Sequence, residues 1–347
     1  MSKKVFVGMS GGVDSSVTAA LLLRDGYDVT GVYMKNWSQD LPGFTCPWQE
    51  DYQDAKRVAV QLGIDFKMYD FEAEYRSKVV DYMVAGYQAG ITPNPDIMCN
   101  QEVKFKLFLE AALEDGADQI ATGHYARSEN GQLLTGLDKN KDQSYFLYRV
   151  TDEALRRSLM PIGGLEKPRV RELATDFKLA TANKKDSQGI CFIGKVGIKD
   201  FLLAELGPQP HGAIVEQSGL VIGEHDGALF YTIGQRHGLD VGGGLPYYVV
   251  GKDMAKNEVY VTTDLQDGRL WRRELSLGAL HWINQPPVDG QTYQVRTRYR
   301  AALVPAVVRL EQDQVALIME DEVRAITPGQ SAVLYEADRV VGGGIVL

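Results

Sequence analysis

Through its first half the chain alternates two hydrophobic periods. An apolar run at residues 5–7 reads as a strand, and Val13, Val17, Ala20 and Leu21 then recur at helical spacing until Gly26. Residues 28–34 read as a second strand. Tyr52, Ala55, Ala59 and Leu62 mark a helix closed by Gly63, and 66–71 a third strand. Val80, Met83, Val84 and Tyr87 mark another helix. Phe105, Phe108, Leu109, Ala112 and Leu113 mark one more, starting near Val103 and leading into a strand at 119–122. Strands separated by helices predict a parallel, doubly wound α/β sheet whose ligands sit at the carboxyl ends of its strands. Gly8, Met34 and Gly123 fall at such ends.

The pattern then changes. Between Arg127 and Arg149 a hairpin is expected, with turns at Asn130-Gly131 and Asp138-Lys-Asn-Lys, and Pro168 opens a helix carrying Val170, Leu173, Ala174 and Phe177. Past Gly207 the helical period disappears, and residues 207–251 hold eleven glycines between short β-rich runs such as 213–215 and 247–250. That is the texture of a small all-β domain. From Trp271 strands continue, at 293–301 and 304–310, and a β-barrel follows. The expected domains are therefore a catalytic α/β domain at 1–200, a central β domain at 201–270 and a C-terminal β-barrel at 271–347.

Composition bounds the function classes. A chain of 347 residues can bury a substantial core in two or three domains, and three cysteines make no disulfide scaffold. Met1 to Lys4 lead straight into the first strand, and no apolar run approaches membrane length, so a cytoplasmic protein without a membrane partner is expected. The net charge of −9 argues at first against a polyanionic partner. Yet residues 139–185 hold eleven Lys/Arg against six Asp/Glu. Arg296, Arg298 and Arg300 add a stripe that shares one face of a strand at period two. Solvated faces explain such charges as well as RNA does, and phosphate contacts need only a local footprint.

The densest chemistry is Gly8-Met-Ser-Gly-Gly-Val-Asp-Ser15, a strand, a Gly/Ser turn and a helix start. Gly11 and Gly12 let successive N–H groups approach a phosphate, and Ser10, Ser15 and Ser16 can add hydroxyls. Asp14 would repel that phosphate unless a divalent cation lay between them, which suggests Mg²⁺ brought with ATP. The lysine of a Walker loop is missing. The pattern resembles instead the pyrophosphate loop of the N-type ATP pyrophosphatases, a resemblance that implies ATP.

Two cysteines stand in polar loops. Cys99 follows the rigid Thr92-Pro-Asn-Pro-Asp stretch just before the helix expected near Val103, where a thiolate is stabilised, and Asp96 is a candidate proton acceptor or donor. Cys191 lies in Lys184-Lys-Asp-Ser-Gln-Gly-Ile-Cys, which reads as a mobile, electropositive loop. Cys46, in Phe-Thr-Cys-Pro-Trp, has neither context and reads as structural. A cysteine pair beside an ATP-adenylating loop suggests sulfur transfer, one cysteine carrying a persulfide and the other resolving it.

These motifs resemble those of the tRNA-specific 2-thiouridylase (MnmA) family over essentially the whole chain. Carrying the resemblance are Gly8–Ser15, Asn94-Pro-Asp-Ile-Met-Cys99-Asn, Ala121-Thr-Gly-His-Tyr125, Lys141-Asp-Gln-Ser-Tyr-Phe, Asp186-Ser-Gln-Gly-Ile-Cys191-Phe-Ile-Gly and Tyr231-Thr-Ile-Gly-Gln-Arg-His-Gly-Leu. The resemblance implies that Gly8, Met9, Ser10, Gly11, Gly12, Val13, Asp14, Ser15, Met34 and Gly123 bind ATP. It implies that Asn94, Pro95 and Asp96 hold the target base and that His124, Lys141, Asp142, Gln143, Arg298, Tyr299 and Gln330 touch the tRNA. Cys99 would be the nucleophile and Cys191 the persulfide carrier. The substrates would be tRNAs for Lys, Glu and Gln, and sulfur would come from a relay protein fed by a cysteine desulfurase. Three other readings stay open. A different pyrophosphate-loop ligase would not need the cysteines, and a silent RNA-binding protein would not need Asp14. An iron–sulfur cluster on Asp96, Cys99 and Cys191 is possible but not favoured.

Overall fold

The computed structural model describes residues 2–185, 196–239, 241–242 and 244–347. Strand β1 (Lys4–Gly8) enters the glycine turn and helix α1 (Val13–Arg24), and β2 (Asp28–Lys35), helix α2 (Trp48–Leu62) and β3 (Asp65–Asp70) follow. After β4 (Gln119–Ala121) come the hairpin strands β5 (Ala126–Glu129) and β6 (Gln132–Thr135), and then β7 (Ser158–Leu159). The five-stranded sheet runs β3-β2-β1-β4-β7 with every pair parallel.

The two-residue period of β1 decides what covers each face. Val5 and Val7 pack with Val13, Val17, Ala20 and Leu21 of α1 and with Val170, Leu173 and Ala174 of the helix Lys167–Asp176. Phe6, Val32 and Ile120 meet Phe105, Phe108, Leu109 and Ala112. Helices therefore cover both faces, and the sheet is doubly wound. The carboxyl ends of β1, β2 and β4 lie side by side at one end of the sheet.

Several expected elements are displaced. The helix expected near Val103 begins eight residues earlier, running through Pro95–Met98, Cys99–Leu107 and Phe108–Glu114. Pro95 has a preset φ suited to the first helical position, and the Asn94 side chain caps the turn by accepting from the Ile97 N–H at 3.3 Å. The hairpin is shorter than expected. Asn130 and Gly131 turn it with φ of 54° and 81°, as a two-residue turn of that twist needs, and it ends at Thr135. Helix Ile198–Leu206 and strand β7 carried no period that stood out in the sequence.

The second unit is a four-stranded sheet of β8 (Gly212–Glu216), β9 (Val221–His225), β10 (Tyr248–Asp253) and β11 (Glu258–Thr262), in the order β10-β11-β8-β9. The third comprises β12 (Trp271–Trp282), β13 (Thr292–Arg296), β14 (Val304–Leu310), β15 (Val315–Arg324), β16 (Ser331–Glu336) and β17 (Arg339–Val346). These six close into a barrel because β12 pairs with both β15 and β17. Strand β17 also pairs with β6, so the hairpin of the first unit extends the sheet of the third. Val333, Tyr335 and Val340 of the barrel share a buried cluster with Phe6, Phe108 and Tyr145. The barrel is docked through an apolar core. Among the described residues no helix is long and apolar enough to cross a membrane.

Candidate active site

The turn between β1 and α1 is held by its own residues. Ser15 Oγ accepts from the Ser10 N–H at 3.2 Å and lies 3.2 Å from the Gly12 carbonyl oxygen. Ser16 donates back to the Gly12 carbonyl at 2.7 Å and is fully buried, so of the three serines Ser10 is the one that faces solvent. Gly11 adopts φ +74°, and a Cβ there would stand 2.3 Å from the Asp51 carbonyl oxygen of α2. Only glycine fits. Gly12 is the N-cap of α1 and no side chain caps it, which leaves the first amides of the helix open to an anionic ligand.

Met34 and Gly123 join the same corner. The Met34 Cε would lie 3.0 Å from a Cβ on Gly8, and a Cβ on Gly123 would meet the Ser15 nitrogen at 2.8 Å. Met9 is buried beneath the turn and Val13 within α1. Asp14 is answered by a cation that sequence reasoning missed. Lys167 Nζ donates to both Asp14 oxygens, at 2.7 and 2.8 Å, and the Tyr125 hydroxyl donates to Oδ1 at 2.8 Å. The available signal was the missing Walker lysine, which told that a positive charge had to come from elsewhere.

Cys99 sits one turn into the Pro95 helix, wholly buried among Trp37, Cys46, Tyr75, Val103, Phe201 and Tyr231. The stretch before it is fastened from two other units. Gln330 Nε2 donates to the Thr92 carbonyl at 2.8 Å, and the Thr92 N–H donates to the Pro328 carbonyl at 2.9 Å. Thr92 Oγ1 lies 3.1 Å from Thr232 Oγ1 of the central unit. The same helical run lays Phe108 against Gly8 at the end of β1, which ties the cysteine's helix to the phosphate turn. Cys46 is different. Its thiol donates to the Trp37 carbonyl at 3.6 Å and burial raises its pKa. Cys191 lies outside the described residues. Lys184, on its approach, is tied to Asp51 and Asp54 of α2 at 2.8 and 2.6 Å.

The residues expected at the RNA are largely turned inward. The arginine stripe does not exist as a strand face: β13 ends at Arg296, and Arg300 has φ +63°. Arg296 pairs with Asp142 at 3.1 Å, and Arg300 Nε donates to the Asn140 carbonyl at 3.0 Å. Arg298 donates to the carbonyls of Ile233 and Ala325 and to Thr327 Oγ1, and burial lowers its pKa. All three arginines fasten units together. Asp142 is buried, with Oδ1 accepting from the Gly136 and Ser144 N–H groups, and Gln143 Oε1 accepts from the Tyr125 N–H. Lys141 is half-buried, and the Tyr299 ring packs tilted against Phe146 with centroids 4.6 Å apart. His124 is buried 2.8 Å from Thr122 Oγ1, and burial holds its pKa well below the usual imidazole value.

A magnesium ion fits this corner in company with phosphate. The Asp14 carboxylate and the exposed Ser10 hydroxyl are hard oxygen donors of the kind Mg²⁺ takes when it bridges a protein carboxylate to substrate phosphates. Among the described residues no group of three or more His, Cys, Asp or Glu forms a cage for a metal ion. The cluster alternative depends on Cys191 and so falls outside them.

Three family models cover the chain in succession. Residues 3–195 match a tRNA methyl transferase HUP domain, 199–263 a tRNA methyl transferase PRC-barrel domain, and 272–346 an aminomethyltransferase beta-barrel domain. A protein from Neisseria meningitidis serogroup B, named tRNA-specific 2-thiouridylase MnmA, is 50% identical over 99% of this chain and 95% of its own length. A protein of the same name from Shewanella amazonensis is 48% identical over 99% of this chain and 94% of its own. Among solved structures, a 4-thiouridine synthetase–RNA complex with bound ATP aligns with 56% of this chain and 46% of that one. Its 17% identity and TM-score of 0.36 are too low to argue from. About half the residues are shared over 99% of this chain, a span that includes all three units. The chain belongs to the tRNA-specific 2-thiouridylase (MnmA) family.

Proposed function

We propose that this chain is an ATP-dependent sulfurtransferase that places sulfur on C2 of the wobble uridine in tRNA. The observation that carries the reading is the meeting of an uncapped glycine turn at α1 with a helix that bears Cys99 and packs against the end of β1. The turn suits a nucleotide's phosphates, and the helix start at Asn94, Pro95 and Asp96 lies beside the buried thiol where a flipped base would enter. The uracil C2 carbonyl is a poor electrophile. Attack of its oxygen on the α-phosphate of ATP forms a C2–O–AMP bond and releases pyrophosphate. A persulfide sulfur on Cys191 then attacks C2 and AMP departs. Cys99 attacks the Cys191 sulfur, which leaves C2=S on the base and a Cys99–Cys191 disulfide. Alternatively, Cys99 first liberates hydrosulfide from the persulfide and that attacks C2. Either route ends in the same disulfide, which a two-electron reductant must clear, and its formation requires Cα atoms within about 7 Å.

Base extrusion from the anticodon stack would cost a few kcal/mol. We assign the base contacts to Asn94, Pro95 and Asp96, and RNA contacts to His124, Lys141, Asp142, Gln143, Arg298, Tyr299 and Gln330. For the inward-facing members of that set, contact would run through backbone or follow a change of partner. A relay protein fed by a cysteine desulfurase would load Cys191, tRNAs for Lys, Glu and Gln would be the substrates, and the setting would be the reducing cytoplasm. Radiolabelled persulfide tests the roles. Cys191→Ser should take up no label yet still release pyrophosphate with tRNA, whereas Cys99→Ser should take up label but not thiolate in steady state. Label on Cys99 would reverse the roles, and normal thiolation by both variants would overturn the mechanism.

A further inference from the structure

The phosphate turn lacks a lysine of its own, and the fold brings one to it. Lys167 is 153 positions from Asp14, yet its ammonium bridges both carboxylate oxygens. The side chain is only 12% exposed, and it passes over the Tyr125 ring at 5.6 Å. Its backbone is fixed as well, because the Lys167 N–H donates to Asp138 Oδ2 at 3.0 Å where the helix Lys167–Asp176 begins. A fixed base with a four-carbon stem lets the ammonium move by rotation about side-chain bonds alone.

Charge decides what happens when a polyanion arrives. The amides at the start of α1 attract phosphate, and the carboxylate of Asp14 repels it. The ammonium nearest to that carboxylate is the cation a phosphate oxygen would meet first, and a lysine binds phosphate as a point charge without demanding a set geometry. We propose that Lys167 is the phosphate-binding cation of this turn. Asp14 holds it in the ligand-free protein, and on ATP binding its ammonium passes to the triphosphate. Asp14 is then released to serve the cation that accompanies the nucleotide. This rests on the ATP reading above and adds to it a residue outside the glycine turn, with a defined exchange of partners.

The two ends of the ion pair should shift ATP affinity in opposite directions when magnesium is withheld. Calorimetric titration of the full chain with ATP in EDTA should give binding weakened about tenfold or more by Lys167→Met, since a direct charge contact is lost. Asp14→Asn should tighten it about threefold or more, because a repulsive charge is removed. If Lys167 served only to hold Asp14 in place, Lys167→Met made in the Asp14→Asn background would cost little further affinity, whereas a lysine that meets the phosphate should still cost about tenfold there. A double variant that binds ATP as Asp14→Asn does, or an unchanged affinity for Lys167→Met, overturns the proposal, and so does wild-type protein that binds ATP only with magnesium present. Should Lys167→Met not fold, Lys167→Gln takes its place in both backgrounds and the same outcomes decide. Wild-type protein that binds no ATP with or without magnesium overturns the ATP reading itself.

Discussion

The phosphate turn and the cysteine helix reach their geometry by opposite routes. In the turn, Ser10, Gly12, Ser15 and Ser16 bond to one another across at most five positions, and glycine supplies the one backbone conformation that others resist. The stretch before Cys99 is held by Gln330, 238 positions away, and by Thr232, 140 positions away. A locally coded site survives rearrangement elsewhere, whereas a remotely fastened one reports on how the three units are docked. The teaching is in the asymmetry. The phosphate turn is built within one unit, whereas the stretch before Cys99 is fastened by residues of the other two.

The comparison breaks first at the cysteines. Cys99→Ser should cut tRNA thiolation by about 10³-fold or more, because a positioned nucleophile is removed, while Cys46→Ser in the same cluster should stay within about twofold. Equal losses would show that the cluster and not the Cys99 thiol is what matters. Next comes the local side. Gly11→Ala forces a Cβ against the Asp51 carbonyl at a positive φ, and should cost about 1–3 kcal/mol while abolishing tRNA-dependent pyrophosphate release. Gly26→Ala shares the positive φ but meets no neighbour, so it should leave that release intact.

The remote side is tested by Gln330→Ala. Loss of its bond to the Thr92 carbonyl should lower thiolation about fivefold with ATP affinity unchanged, since about 1 kcal/mol of positioning goes with it. A matching loss of ATP affinity would erase the distinction between the two regions. Arg298→Ala should lower stability by about 1–3 kcal/mol, because three acceptors lose one donor group. An unchanged salt dependence of tRNA binding would show that the RNA contact assigned to Arg298 runs through its backbone, and a slope reduced by about one unit that its guanidinium changes partner to a phosphate.

The smallest effect is on pH dependence. Burial lowers the His124 pKa in the folded protein, so below the unfolded value near 6.5 the unfolded chain binds the extra proton. Stability should therefore fall as pH drops through that range, with a slope of up to about 1.4 kcal/mol per pH unit for one proton. His124→Gln should flatten this part of the profile in denaturant titrations. An unchanged profile would place the titrating group elsewhere.

What the sequence determined by itself is what short-range rules govern. The two-residue and 3.6-residue periods located the strands and helices of the sheet, and Gly8 through Ser15 announced a phosphate turn because its geometry lies within a few bonds. Helix ends were less legible. Pro95 looked like part of an extended loop, although a proline at the first helical position serves a helix as well as it serves a loop. The arginines at 296, 298 and 300 showed a strand period that the chain leaves at Arg296. Only the tertiary structure decided where their charges go, since Asp142, Asn140 and Ile233 lie far off in sequence. Lys167 belongs to the same class. Its pairing with Asp14 depends on two elements 153 positions apart meeting at one sheet end, and no local pattern encodes the partner of a charge that the fold brings from elsewhere.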